Sequence, residues 1–322
     1  MDQPTFNRRA ALATAAMASA ATLGIPHAFA SQFVVTAEKE NTSPFRFCLN
    51  TSTIREQKLP LDEQVDLAIE CGYDGIEPWM RDVHAYEKQG GNIEQLAKRA
   101  AEQDLRIESA IGFASWIVDD KVKRKAGLDS ARKDMGILTR LGGRRIAAPP
   151  VGATREAGLD LHAAAARYHE LLDVGREMGV VPQLELWGFS KNLSRLGELA
   201  FVAAEADHPD ACVLPDVYPI YKGGSGFAGL RMFNGRQIHV FHVNDYPADP
   251  PRDTISDADR VYPGDGVAPL GSILRTLRDI GFRGALSLEL FNRTYWKQDA
   301  KLVAATGLSK MKTAVAVALA PE

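Results

Sequence analysis

Cysteine is scarce in this chain. Its 322 residues include three, Cys48, Cys71 and Cys212, an odd number with no metal-ligand spacing, which excludes a disulfide framework and a cysteine-based metal site. Stability must come from a packed core, where free cysteine behaves as a compact hydrophobe. A basic excess is missing too: 38 Lys and Arg face 41 Asp and Glu, a formal charge of −3. The chain lacks the basic excess that would supply phosphate contacts, so no nucleic-acid partner is expected. The seven histidines are scattered and no Gly-rich phosphate loop is evident, which argues against a histidine-rich multi-metal centre and a P-loop.

The amino terminus differs from the rest. Arg8 and Arg9 precede an alanine-rich stretch, Ala10 to Leu23, and Ala28-Phe29-Ala30 puts small residues at the −3 and −1 positions of a cleavage site. Residues 1–30 therefore read as an export signal. The paired arginines and weakly hydrophobic core favour the twin-arginine route, and so a periplasmic or otherwise exported protein, although Asn7 to Leu12 lacks the usual phenylalanine. The stretch is too short and alanine-rich for a stable membrane span. Residues 31–44 make a linker.

From residue 45 to 318, strand-like apolar runs alternate with amphipathic helical stretches, the pattern of an α/β fold with a parallel sheet. Strands are expected at 45–51, 75–79, 106–113, 145–149, 182–187, 211–217, 237–243 and 285–290. Helices are expected at 61–71, 92–103, 121–141, 161–178, 193–206, near 227–233, at 270–280 and at 299–318. Eight of each, with no second core, predict a single (β/α)8 TIM barrel. The Pro-, Asp- and Gly-rich stretch Asp245 to Val267 becomes a long loop after the seventh strand, and long loops in compact domains are commonly functional.

Four expected strands end on groups that carry chemistry: Glu185 in LELWG, Asp216 in LPDVY, His242 in FHVND and Glu289 in LSLELF. TIM barrels gather their chemistry at that end. Strand alternation puts Leu286, Leu288 and Leu290 on one face and Ser287 and Glu289 on the other; it likewise separates Leu184 and Leu186 from Gln183, Glu185 and Trp187. If the leucines face the helices, both glutamates face the barrel axis. Buried carboxylates there need a salt bridge to an inward Arg or Lys, or a metal. One histidine with three carboxylates suits a single hard divalent ion, with manganese, magnesium, cobalt and zinc all open.

With those residues in place, the chain resembles the xylose-isomerase-like barrels, a family of sugar-phosphate isomerases and epimerases that also includes ketose 3-epimerases, hydroxypyruvate isomerase and inosose dehydratase. The resemblance covers about residues 45–315 and implies one metal held by Glu185, Asp216, His242 and Glu289. It sets Glu77, in GYDGIE, at the mouth as a substrate contact, and Arg260, before the Gly264-Asp265-Gly266 turn, as another. Trp187 joins them, and Trp79, Trp116 and Phe291 are further candidates to wall the pocket. Pro219 replaces a histidine that many members use to hold a substrate hydroxyl.

The implied reaction is a metal-dependent isomerisation or epimerisation of a keto-sugar or related hydroxy-carbonyl compound. It runs through an enediolate, with Glu185 and Glu289 as the catalytic proton-transfer pair. The same enediolate can expel a β-leaving group, so a lyase or dehydratase acting on a 3-keto-glycoside or keto-polyol is the alternative. An abasic-site endonuclease fits less well, because the basic groove is missing. A non-catalytic sugar-binding barrel would have no need of the four ligands. Barrels of this type often pair, so a homo-oligomer is compatible with the chain.

Overall fold

A computed structural model describes residues 43–321. The proposed signal and most of the linker lie outside them. Eight parallel strands run Arg46–Asn50 (β1), Gly75–Glu77 (β2), Arg106–Ile107 (β3), Arg145–Ala148 (β4), Val181–Glu185 (β5), Val213–Leu214 (β6), Val240–Val243 (β7) and Ala285–Leu288 (β8). Hydrogen-bonded pairs give the orders β3-β2-β1-β8-β7 and β4-β5-β6. Single contacts join the two arcs into a TIM barrel. Between β3 and β4, the Ala110 amide donates to Arg145 O at 3.1 Å and the Ala147 amide to Ala110 O at 2.8 Å. Between β6 and β7, parallel bridges link Val213 to Ile238 and Asp216 to His242.

The helices are Leu61–Cys71 (α1), Met80–Lys88 (α2), Ile93–Glu102 (α3), Lys121–Arg140 (α4), Leu161–Met178 (α5), Leu196–Glu205 (α6), Val217–Lys222 (α7), Leu270–Asp279 (α8) and Ala300–Leu319 (α9). α1 stops where its sequence says it should, at Gly72 with φ +81°, a conformation glycine adopts without steric penalty. The hydrogen-bonded strands are shorter than the apolar runs. Beyond the ladders pairing continues only as single bridges, such as Trp79 with Ile111 and Asp216 with His242. α2 was not expected, since only Met80 and Val83 in it are buried, too few for an apolar stripe to show. The stretch near 227–233 is a 3-10 helix, Phe227–Met232.

The alternation holds around the barrel. Leu184, Leu186, Leu286, Leu288 and Leu290 belong to the main core between sheet and helices. A second, small cluster of Cys48, Ile111, Ala147, Leu214, Val240 and Ala285 plugs the barrel's middle. α9 has the length and apolarity of a membrane-crossing helix; here Val303, Ala304, Leu308, Met311 and Val315 are buried in the core instead.

Candidate active site

Above the apolar plug, every strand that carries an expected functional group turns it inward. Asp216, His242 and Glu289 each offer a ligand atom within 4.8 Å of the others. His242 Nδ1 lies 3.3 Å from Glu289 Oε2 and 3.8 Å from Asp216 Oδ2. Glu185 stands outside this trio, though it is only 4% exposed and feels the charges of Glu289, His242 and Asp216. Its Oε1 accepts from Trp187 Nε1 at 3.1 Å. Three of the four expected ligands thus meet directly, and the fourth is a near neighbour.

Glu77 corrects the reading of the sequence. It is packed against the imidazole rather than open at the mouth, and neither it nor His242 has exposed surface. Glu77 Oε2 faces His242 Nε2 at 2.9 Å and accepts from Ser287 Oγ at 2.7 Å and Asn50 Nδ2 at 3.0 Å. β1 and β2 set Asn50 level with Glu77, and the Glu77 side chain reaches across the barrel to His242 on β7 and Ser287 on β8. A carboxylate there fixes the ring's orientation and leaves Nδ1 turned toward the acids. Trp116 is likewise a core residue, fully buried with Nε1 donating to Pro149 O at 2.9 Å.

Arg260 reaches the site from the long loop. Its Nη1 donates to Asp216 Oδ2 at 2.8 Å and to Glu289 Oε2 at 2.9 Å, so an inward arginine is indeed one partner for the buried acids. The loop is folded: Asp245 and Val261 exchange backbone hydrogen bonds of 3.0 and 2.9 Å, and Lys222 Nζ donates to three of its carbonyls. Asn292 Nδ2 holds Arg260 O at 2.9 Å. Asn50 and Asn244 were missed in the sequence. Asn50 donates to both Glu77 and Glu289, and Asn244 to Asp216 Oδ1 at 2.8 Å. Asn244 sits two residues after His242, so strand alternation alone could have placed it.

Charge is unbalanced here. Four buried carboxylates, Glu77, Glu185, Asp216 and Glu289, meet one guanidinium and one imidazole. Burial, reinforced by the neighbouring Glu289, pushes Glu185 up to about 8. Burial also raises Asp216 to about 7, against the pull of Arg260. Burial acts upward on Glu289 as well, but His242 and Arg260 outweigh it and hold that carboxyl down to about 2. His242 itself is raised well above its ordinary value because Glu289 and Glu77 overcome its burial. Five atoms of the site are left without hydrogen-bond partners, Glu77 Oε1, Asn244 Oδ1, Arg260 Nε and, among the four expected ligands, His242 Nδ1 and Glu185 Oε2. More carboxyl groups than cationic partners, two of them held above the usual carboxylate range, with an orphaned imidazole nitrogen and mixed N/O donors, fit a divalent cation.

The family model for xylose isomerase-like TIM barrels matches residues 65–314. The chain belongs to that family. Over 259 residues it is 25% identical to an inosose isomerase of Bacillus velezensis, covering 80% of this chain and 92% of that one. A fructoselysine 3-epimerase of Escherichia coli O157:H7 is 24% identical over 84% of this chain and 97% of its own. A 3-dehydroshikimate dehydratase of Pseudomonas putida is 22% identical over 78% of this chain but 39% of its own. Among solved structures, the IolI protein with a bound zinc atom superposes with a TM-score of 0.79 at 22% identity, covering 86% of this chain and all of that one. This xylose isomerase-like barrel is an enzyme, with relatives among isomerases, epimerases and dehydratases.

Proposed function

We propose that this protein is a divalent-metal-dependent isomerase or epimerase of a keto-sugar or similar hydroxy-carbonyl compound. The observation that carries the reading is the convergence of Glu185, Asp216, His242 and Glu289 from β5, β6, β7 and β8, with His242 Nδ1 and Glu185 Oε2 unpartnered. Asp216, His242 and Glu289, with Glu185 beside them, would hold the ion; the zinc in the IolI structure supports a divalent ion without choosing which. When bound, such an ion polarises a carbonyl and stabilises negative charge on oxygen, worth several kcal/mol in the transition state. Glu77 keeps the imidazole fixed, and Arg260 Nη1 offers a donor to a substrate oxygen at the rim of the acids. Glu185 and Glu289, from strands separated around the barrel, act as the pair that removes a carbon-bound proton and returns it. The substrate lies against Trp187.

The relationship to a dehydratase favours a second reading, in which the same carboxylates remove the proton and a β-substituent leaves. Incubation of manganese-loaded protein with ketoses and 3-keto-glycosides in deuterated water separates the two. Deuterium in an isomer supports isomerisation or epimerisation, an unsaturated product supports elimination, and turnover that survives a chelator rejects the metal-dependent reading. Export is part of the proposal, supported by Arg8-Arg9 and Ala28-Phe29-Ala30. Replacing both arginines by lysine should keep the protein in the cytoplasm.

A further inference from the structure

The wall above the acids is made almost wholly of carbon. A cavity of about 230 Å³ has Glu185, Arg260 and Glu289 among its lining residues and rings around them. The rings form a continuous arc. Phe291 and Trp79 have centroids 6.0 Å apart, Trp79 and Phe113 5.0 Å, Phe113 and Trp187 6.3 Å, and Trp187 stacks on Phe189 at 5.4 Å. Both indole N–H groups in the arc are already used. Trp79 Nε1 donates to Asn50 Oδ1 and Trp187 Nε1 to Glu185 Oε1, each at 3.1 Å. The rings themselves therefore have no donor or acceptor left for a sugar hydroxyl; the guanidiniums of Arg55 and Arg81 lie over Trp79, at one end of the arc, at 5.1 and 4.9 Å.

Phe113 is 40% exposed and Phe189 54%, and among the described residues they are the only aromatic members of the exposed large hydrophobic set. Both lie at this mouth. Apolar surface held open to water beside a polar centre marks a binding surface. A bare polyol laid against it would lose water from its hydroxyls without new partners, whereas an apolar group would gain by the same contact. The cavity is smaller than the roughly 300–1,000 Å³ of sites that enclose drug-sized ligands. A ring-sized group resting on the open end of the arc, with the hydroxy-carbonyl part below it, fits that shape.

We propose that the substrate is a hydroxy-ketone bearing an apolar substituent of aromatic size, such as an aryl keto-glycoside, and that the Trp79–Phe113–Trp187–Phe189 arc selects it. This rests on the proton-transfer reading above and narrows its substrate class. The comparison uses methyl and phenyl 3-keto-β-glucosides with free ketohexoses, in metal-loaded full-length protein. Solvent-deuterium incorporation or elimination gives kcat/KM, and quenching of tryptophan fluorescence gives binding independently of turnover.

The phenyl compound should be favoured over the methyl one by about tenfold or more, the scale of apolar-pocket discrimination. Phe113→Ala and Phe189→Ala should each pull that ratio toward unity, in binding as in turnover. Equal kcat/KM and equal binding for the two glycosides overturn the inference, even if exchange on free ketoses upholds the proton-transfer reading. Tighter binding of the phenyl compound without any chemistry upholds the arc and sinks that reading instead. If both Phe variants convert a dimer to a monomer while the ratio stays fixed, the arc is an interface between copies and the inference fails.

Discussion

The two ends of the barrel are built from the same strands and differ in almost everything else. At the amino end lies a cavity of about 1070 Å³, lined by Arg46, Arg106, Arg144, Arg145, Arg236 and Arg283, with acids only at Asp104 and Glu108. At the carboxyl end the cavity is about 230 Å³, yet it holds the imidazole-linked acids and the aromatic arc. Size does not locate chemistry. The amino end has charges mainly of one sign and a half-buried ion pair, Arg46 with Glu108; the carboxyl end has opposed acids, bases and unpartnered polar atoms. In TIM barrels the former end reads as stability and the latter as catalysis.

The largest contrast should come from paired substitutions at the two ends. Glu185→Gln or Glu289→Gln should lower deuterium exchange about 10²–10⁴-fold, the usual worth of a positioned acid or base. Arg145→Gln should leave exchange within about twofold. Comparable losses from both would erase the distinction.

Next in size is a stability effect confined to the amino end. A Cβ on Gly284 would come within 2.1 Å of His239 O and 2.4 Å of a Phe282 ring carbon, so Gly284→Ala must move backbone at the start of β8. Urea denaturation should show a loss of about 1–3 kcal/mol, as overpacking commonly gives.

Glu77→Gln sharpens the carboxyl-end account. It keeps the shape but weakens the hold on His242 Nε2, and metal affinity, followed by chelator competition, should fall about 10–100-fold. Unchanged affinity would make Glu77 a mere filler of the barrel.

The smallest effect concerns His239. Its burial, helped by the charge of Arg145, lowers its pKa from 6.5 to about 4. Between those values the unfolded chain binds the extra proton and the folded one does not. Stability should therefore fall as pH drops through that window. His239→Gln should flatten the slope by about 1 kcal/mol after allowing for solvent screening, measured as the urea midpoint at pH 4.5 and 6.5.

Much of this was legible in the sequence because two-residue alternation is a local property. LSLELF alone shows that Glu289 opposes three leucines, and the leucines do pack outward. The order of strands, the stop at Gly72 and the four inward groups follow from such local patterns. Depth along the barrel axis does not. Glu77 is buried against the imidazole through contacts across the barrel with His242 and Ser287, which depend on how separate strands are set beside each other. Arg260 depended on a folded loop whose anchor, the carboxylate of Asp245, accepts from the amides of Tyr246, Gly264 and Ala268. Partners distant in sequence cannot be read from periodicity. α2 escaped because a helix that buries only two side chains carries little pattern.

The antiparallel pinch between Asp245 and Val261 separates the tip of that loop from its root. The tip is moored as well: Ile255 is buried, and the carbonyls of Arg252, Asp253 and Ile255 accept from Lys222 Nζ, so the guanidinium is held in register with β6 and β8 from both sides. Substitutions in this loop that keep those moorings can then accumulate without reopening the barrel that holds the acids.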